Sequence, residues 1–236
     1  MGITALVLAL GISAVGSAEP PRSRAGAAMT GPLPAAVAKG RARPEDPRDA
    51  TPPAVDGADR DSLYMRLLNA LERRVTVWES PKGRVVHASH CRTGPGGCRA
   101  RIAVITRWLA DAAEKYSIDP FVLAAMAVKE SGLNPFAEGS VGELGLLQLH
   151  PRGVGRRTEF VRNERFRKRC ERSVGACQQE VIEIGAEHLA DAIARCGDLR
   201  AALGAYNSGK CGETEYTERI LDERRELLER SAAPVQ

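Results

Sequence analysis

The stretch AAMAVKESGLNP, residues 124–135, ends an apolar run on an acid, Glu130. At helical spacing Leu123, Met126 and Ala127 share its face, seven, four and three residues back. Lys129 points about 100° away around the same helix and does not pair with Glu130 across it. The carboxyl therefore extends a stripe that turns toward the core. It also lies in the last turn, where the helix dipole disfavours an anion by about 0.3–1 kcal/mol. Desolvation and dipole both raise a carboxyl pKa. An acid that keeps its proton near neutral pH is what general acid catalysis requires. A glutamate that simply reaches solvent from a helix end is the bland alternative, and these residues alone do not separate the two.

The elements that must position Glu130 are helical. Asp119-Pro120 offers a cap followed by a first-turn proline, so a helix is predicted over PFVLAAMAVKES with its stop at Gly132. Upstream, RARIAVITRWLADAAEKY carries Ile102, Ile105, Leu109 and Ala112 on one stripe. Earlier still, Asp61 is placed to cap SLYMRLLNALERRV. Between them, TVWESPKGRVVHAS is the one extended-looking segment, a short hairpin or loop. Downstream, GLLQLHP reads as a short helical turn ended by Pro151. CQQEVIEIGAEHLADAIARCG reads as an amphipathic helix with Val181, Ile184, Leu189 and Ile193 inward. DLRAALGAYNSG is a short helix, and TEYTERILDERRELLERS a charged outer one. The fold class expected is all-α, a compact bundle of about seven elements.

The 236 residues allow one sizeable domain plus tails, and 43% hydrophobic residues support a core. Aromatic residues make up only 4%, which argues against stacking platforms for single-stranded nucleic acid. The net charge of +4 is mildly basic. Residues 156–172 hold much of it, with eight basic and three acidic side chains, and read as a solvated helix face. Residues 1–18, MGITALVLALGISAVGSA, lack charge and end on small residues, and are expected to be a signal peptide. The apolar run is short for a membrane span, so no span is expected once the signal is removed. Residues 19–59, rich in proline and alanine, are expected to be a disordered tether, with the helical domain at 60–236.

Six cysteines, all beyond residue 90, read as a disulfide framework in an exported chain. Six allow 15 pairings. Local pairing, Cys91–Cys98, Cys170–Cys177 and Cys196–Cys211, is the simplest choice. His87, His90 and Cys91 read as a polar loop leading into a disulfide rather than a metal site, and no cofactor is expected.

Three motifs in order carry a resemblance. ESGLNP (130–135) is followed by GELGLLQLHP (142–151) and then by AYNSG (205–209). Together they resemble the soluble lytic transglycosylases, whose domain is helical and goose-lysozyme-like, over about residues 98–228. The resemblance implies cleavage of the MurNAc-GlcNAc β-1,4 bond of peptidoglycan, leaving 1,6-anhydroMurNAc ends, in the periplasm or outside the cell. It implies Glu130 as sole acid/base, Ser131 at the start of the cleft, and Gln148 donating hydrogen bonds to sugar. Tyr206, with Asn207 behind it, is implied to orient the acetamido group of the reacting sugar. The family's methionine before the glutamine is Leu147 here. Its serine ahead of the second motif is Gly139, with Ser140 adjacent as the substrate-binding candidate. Glu143 stands where the family has alanine and brings a second acid near the cleft. The alternatives on this scaffold are a hydrolytic muramidase, with Glu143 activating water, and a glycan-binding protein without turnover. The expected partner is the glycan strand, engaged by a monomer, with no nucleic acid.

Overall fold

The computed structural model describes residues 57–80, 82–92 and 94–232. They fall within one unit, Pro44–Gln236, while the other, Met1–Arg43, lies outside the described residues. The expected signal peptide, and the tether up to residue 56, also lie outside them.

Helix α4, Pro120–Ser131, is the centre of the packing. Every residue from Pro120 to Val128 is buried, as expected of a helix that is apolar all round. Its ends follow the local chemistry of the sequence. Asp119 accepts a hydrogen bond from the Phe121 amide at 2.9 Å, and Pro120 fills the first turn. Gly132 closes the helix in the left-handed region at φ 61°. Around α4 pack α1 (Gly57–Val75), α3 (Gly97–Lys115) and α9 (Glu215–Ala232). A second group, α7 (Gln179–Cys196) and α8 (Leu199–Ser208), joins through α3 and α9. Leu67, Leu71, Ile102, Ile105, Leu109 and Leu123 are fully enclosed where these elements meet. Each contributes about 1.5–3 kcal/mol by leaving water. Among the described residues the fold is all-α apart from one antiparallel hairpin, β1 (Thr76–Glu79) and β2 (Val85–His87), which leads into the short helix α2 (Ser89–Arg92).

The structure departs from the sequence expectations at four places. Helix α1 begins at Gly57, so Asp61 is an exposed residue inside it and not its cap. Residues 145–151 form no helical turn. Gly142 (φ 92°), Gly145 (φ 81°) and Gln148 (φ 47°) take left-handed backbone, and Leu144 bridges to both Glu138 and Leu149. In α7 the inward set is Val181, Ile182, Ala186, Leu189 and Ala192, whereas Ile184 and Ile193 are half-buried. Most consequentially, α9 is not an outer helix. It buries Tyr216, Ile220, Leu221 and Leu227 together with Glu223 and Arg224.

The buried charges on α9 are matched to named partners. Glu223 accepts from Arg74 at 2.8 Å and pairs with Lys129 at 2.7 Å. Arg224 pairs with Asp119 across the α9–α4 interface. The basic run folds into two short helices, α5 (Glu159–Arg162) and α6 (Glu164–Cys170). Its charges reach carboxylates (Arg157 to Glu187, Lys168 to Glu164) or cap carbonyls, as Arg167 does at Phe160 and Val161. This is a solvated face, as expected.

All three disulfides form in the local pairing, Cys91–Cys98, Cys170–Cys177 and Cys196–Cys211. The last spans 15 residues and ties the end of α7 to the loop before α9. Replacing Cys196 and Cys211 together by alanine is expected to cost about 3 kcal/mol, by the loop-closure relation. A urea titration of the double variant checks this, and an unchanged midpoint would contradict it. Among the described residues, no helix is long and apolar enough to cross a membrane.

Candidate active site

Beyond its last buried turn, α4 leaves Glu130 half-buried against an open cleft of ≈ 380 Å³. That volume lies in the range of ligand sites. The cleft floor is the 139–149 loop, and its opposite wall comes from α7 and α8. Of the residues singled out from sequence, Glu130, Ser140, Gln148, Tyr206 and Asn207 all line it, as does Glu143. Ser131 does not. Its hydroxyl donates back to the Ala127 carbonyl at 2.9 Å within α4.

Burial is the main force on Glu130 and pushes its carboxyl above the usual range. The Tyr216 hydroxyl, which donates to its Oε1 at 2.6 Å, pulls the other way, as does Arg219. Glu143 adds like-charge repulsion and raises it again. Desolvation prevails, so the acid form is favoured to higher pH than in water.

Tyr206 and Tyr216 form a stacked pair beside the carboxyl, with centroids 6.5 Å apart and planes 10° from parallel. Tyr206 donates its hydroxyl to the Leu147 carbonyl at 3.1 Å, which ties α8 to the 139–149 loop. Its other flank meets the His188 ring at 5.2 Å. Burial, and the neighbouring Glu130, push both phenols up and keep them neutral. Burial pulls His188 below its ordinary value, which leaves it a neutral polar wall.

Gln148 was expected to donate to a ligand, but its geometry is different. Its Nε2 donates to the carbonyls of Ala137 (3.1 Å) and Gly145 (2.9 Å), so both amide hydrogens hold the loop. What remains is Oε1, an acceptor beside Gly139. Ser140 and Asn207 are exposed on the cleft.

Sequence reasoning missed Tyr216, the one side chain among the described residues that touches the Glu130 carboxylate through a hydrogen bond. The signal was present. Tyr216, Ile220 and Leu227 recur at helical spacing, and a face of that kind marks the inward side of α9. His150 and His188 were likewise not singled out, though both line the cleft. Among the described residues, no group of three or more His, Cys, Asp or Glu could hold a metal ion. Cys91 is consumed by its disulfide and has no thiolate to offer beside His87 and His90.

No solved structure gives a significant match to the chain. Residues 108–220 match the family model described as Transglycosylase SLT domain. That domain is lysozyme-like and carries lytic transglycosylase-type activity on peptidoglycan in general. The matched span runs from the second half of α3 into the second turn of α9, so it takes in the helix that carries Glu130 and both tyrosines beside it. Over those residues the chain resembles the transglycosylase SLT family.

Proposed function

We propose that the protein is a peptidoglycan lytic transglycosylase that cuts the MurNAc-GlcNAc bond with Glu130 as its only acid/base. The observation that carries the reading is the Glu130 carboxyl itself. It is half-buried, shifted toward its acid form, and set beneath the Tyr216 hydroxyl at the edge of a sugar-sized cleft. In the first step Glu130 protonates the bridging oxygen as the C1–O bond breaks. The substrate's own N-acetyl carbonyl stabilises C1, so no second protein carboxylate is needed. In the second step the Glu130 carboxylate takes the proton of the C6 hydroxyl, whose oxygen bonds to C1 and closes the 1,6-anhydro ring. Tyr206, fixed by its bond to Leu147, and Asn207 orient the acetamido group, while Ser140 and Gln148 bind the strand.

The domain of this activity is assigned to residues 57–236, three residues earlier than the sequence places its start because α1 begins at Gly57, following a signal peptide (1–18) and a tether (19–56). A monomer acting on glycan strands outside the cytoplasm fits the local disulfides. Mass spectrometry of muropeptides released by the purified chain tests the reaction. Anhydro ends that resist borohydride are expected, and reducible ends would replace the lyase by a hydrolase. That second reading is favoured only by Glu143, which faces the same cleft as Glu130.

The Tyr216 hydrogen bond favours the charged form of Glu130. Removing it in Tyr216→Phe raises the carboxyl pKa further. A general acid works protonated, so the alkaline limb of the kcat profile should move to higher pH, by about one unit for a bond worth about 1.4 kcal/mol. A limb that stays in place or moves to lower pH would contradict this.

A further inference from the structure

Three residues meet at one corner of the cleft floor, and their chemistry is one-sided. A Cβ at Gly139 would clash with Glu143 Oε2 and come within 2.8 Å of Gln148 Oε1, so the missing side chain leaves both oxygens at one small space. Both amide hydrogens of Gln148 are committed to backbone carbonyls, which fixes Oε1 as an acceptor. Among the described residues no cation pairs with Glu143. Its carboxylate accepts one hydrogen bond there, a long one from the Val141 amide at 3.3 Å. The corner therefore presents a carboxylate and an amide oxygen, and among the described residues that long backbone bond is the one donor they have.

We propose that this corner receives a primary ammonium group carried by the glycan strand. A hydroxyl or an acetamide brings one hydrogen and no charge, and leaves one acceptor and the carboxylate charge unanswered. An ammonium brings three hydrogens and a full positive charge on one small atom, and satisfies both oxygens at once. A hard divalent cation needs about six oxygen ligands and finds two protein oxygens here. On a glycan strand the group is either the amine of a sugar without its acetyl group or a free amine on the attached peptide. Glu143 and Gln148 thus set substrate preference, and Gly139 makes the room. The inference rests on the proposed cleavage of such strands in this cleft.

The test uses binding, so that it stands apart from catalysis. Soluble strands bearing free amines, and the same strands acetylated with acetic anhydride, are titrated calorimetrically into the Glu130→Gln chain. The free-amine strands are expected to bind about tenfold more tightly, the worth of one charge-assisted bond. Adding Glu143→Gln should bring the ratio to about one. Gly139→Ala, which keeps the charge but displaces the carboxylate, should also reduce it. Equal affinities in the Glu130→Gln chain would overturn the proposal, and so would a ratio that survives both changes. Strands stripped of peptide distinguish the two sources, since a ratio that persists places the amine on the sugar and one that vanishes places it on the peptide. Wild-type chain that binds with this preference yet releases no muropeptides would overturn the lytic reading alone.

Discussion

Glu130→Gln is expected to lower the rate of muropeptide release by about 10³-fold or more while leaving strand affinity within a few-fold. General acid–base assistance is worth roughly 10²–10⁴ in rate, and in the proposed mechanism one carboxyl acts in both steps, giving a proton and then taking one. Glutamine has nearly the same shape and keeps an oxygen to accept from Tyr216, so the α4–α9 contact is preserved. It has no proton to give at neutral pH. The fold should therefore be intact, with an unchanged denaturation midpoint, and the loss should fall on kcat rather than on KM. Release of soluble fragments from purified sacculi, followed beside a denaturant titration, measures both. A variant retaining a tenth of the wild-type rate would remove Glu130 from the chemistry.

The largest stability effect is expected at Arg224→Met. Arg224 is 6% exposed and its partner Asp119 is 3% exposed. Burial already pushes the Asp119 carboxyl above the usual range, and Arg224 is the chief influence drawing it back. Breaking a buried pair from one side leaves a charge without a partner and costs about 3–5 kcal/mol. That is a large share of the ~5–15 kcal/mol that holds a typical domain together. The same aspartate caps the first turn of α4, so the loss reaches the helix that presents Glu130. In the Asp119→Asn, Arg224→Met double variant the two sites touch, and part of the loss should return. A single variant within 1 kcal/mol of wild type by urea titration would show the pair to be dispensable.

Much of this architecture is legible in the residues. Asp119-Pro120 and Gly132 bracket α4 with chemistry strong enough to fix both ends. The apolar run between them has no solvent face, and so had to become the core. Local pairing of the cysteines is only the simplest of 15 choices in the sequence, and the structure is what selects it. What stayed hidden was hidden by competing signals. In α9 the glutamates and arginines outnumber the apolar residues, and a composition of that kind reads as surface. In the folded protein Glu223 pairs with Arg74 and Lys129 and Arg224 with Asp119, which lets a charged helix turn inward. Tyr216 was hidden with it. Gln148 illustrates a different limit. Its place in the cleft follows from its motif, but which end of the amide faces a ligand depends on a left-handed backbone and two carbonyls eleven and three residues away.

The three cystine bridges join partners 7, 7 and 15 residues apart, and none encloses or interleaves with another. A polypeptide emerging N-terminus first can oxidise each pair before the thiols of the next appear. Scrambled cross-links then require a thiol to wait past its nearest neighbour. Correct connectivity is thereby a matter of vectorial order, and an isomerase has little to repair.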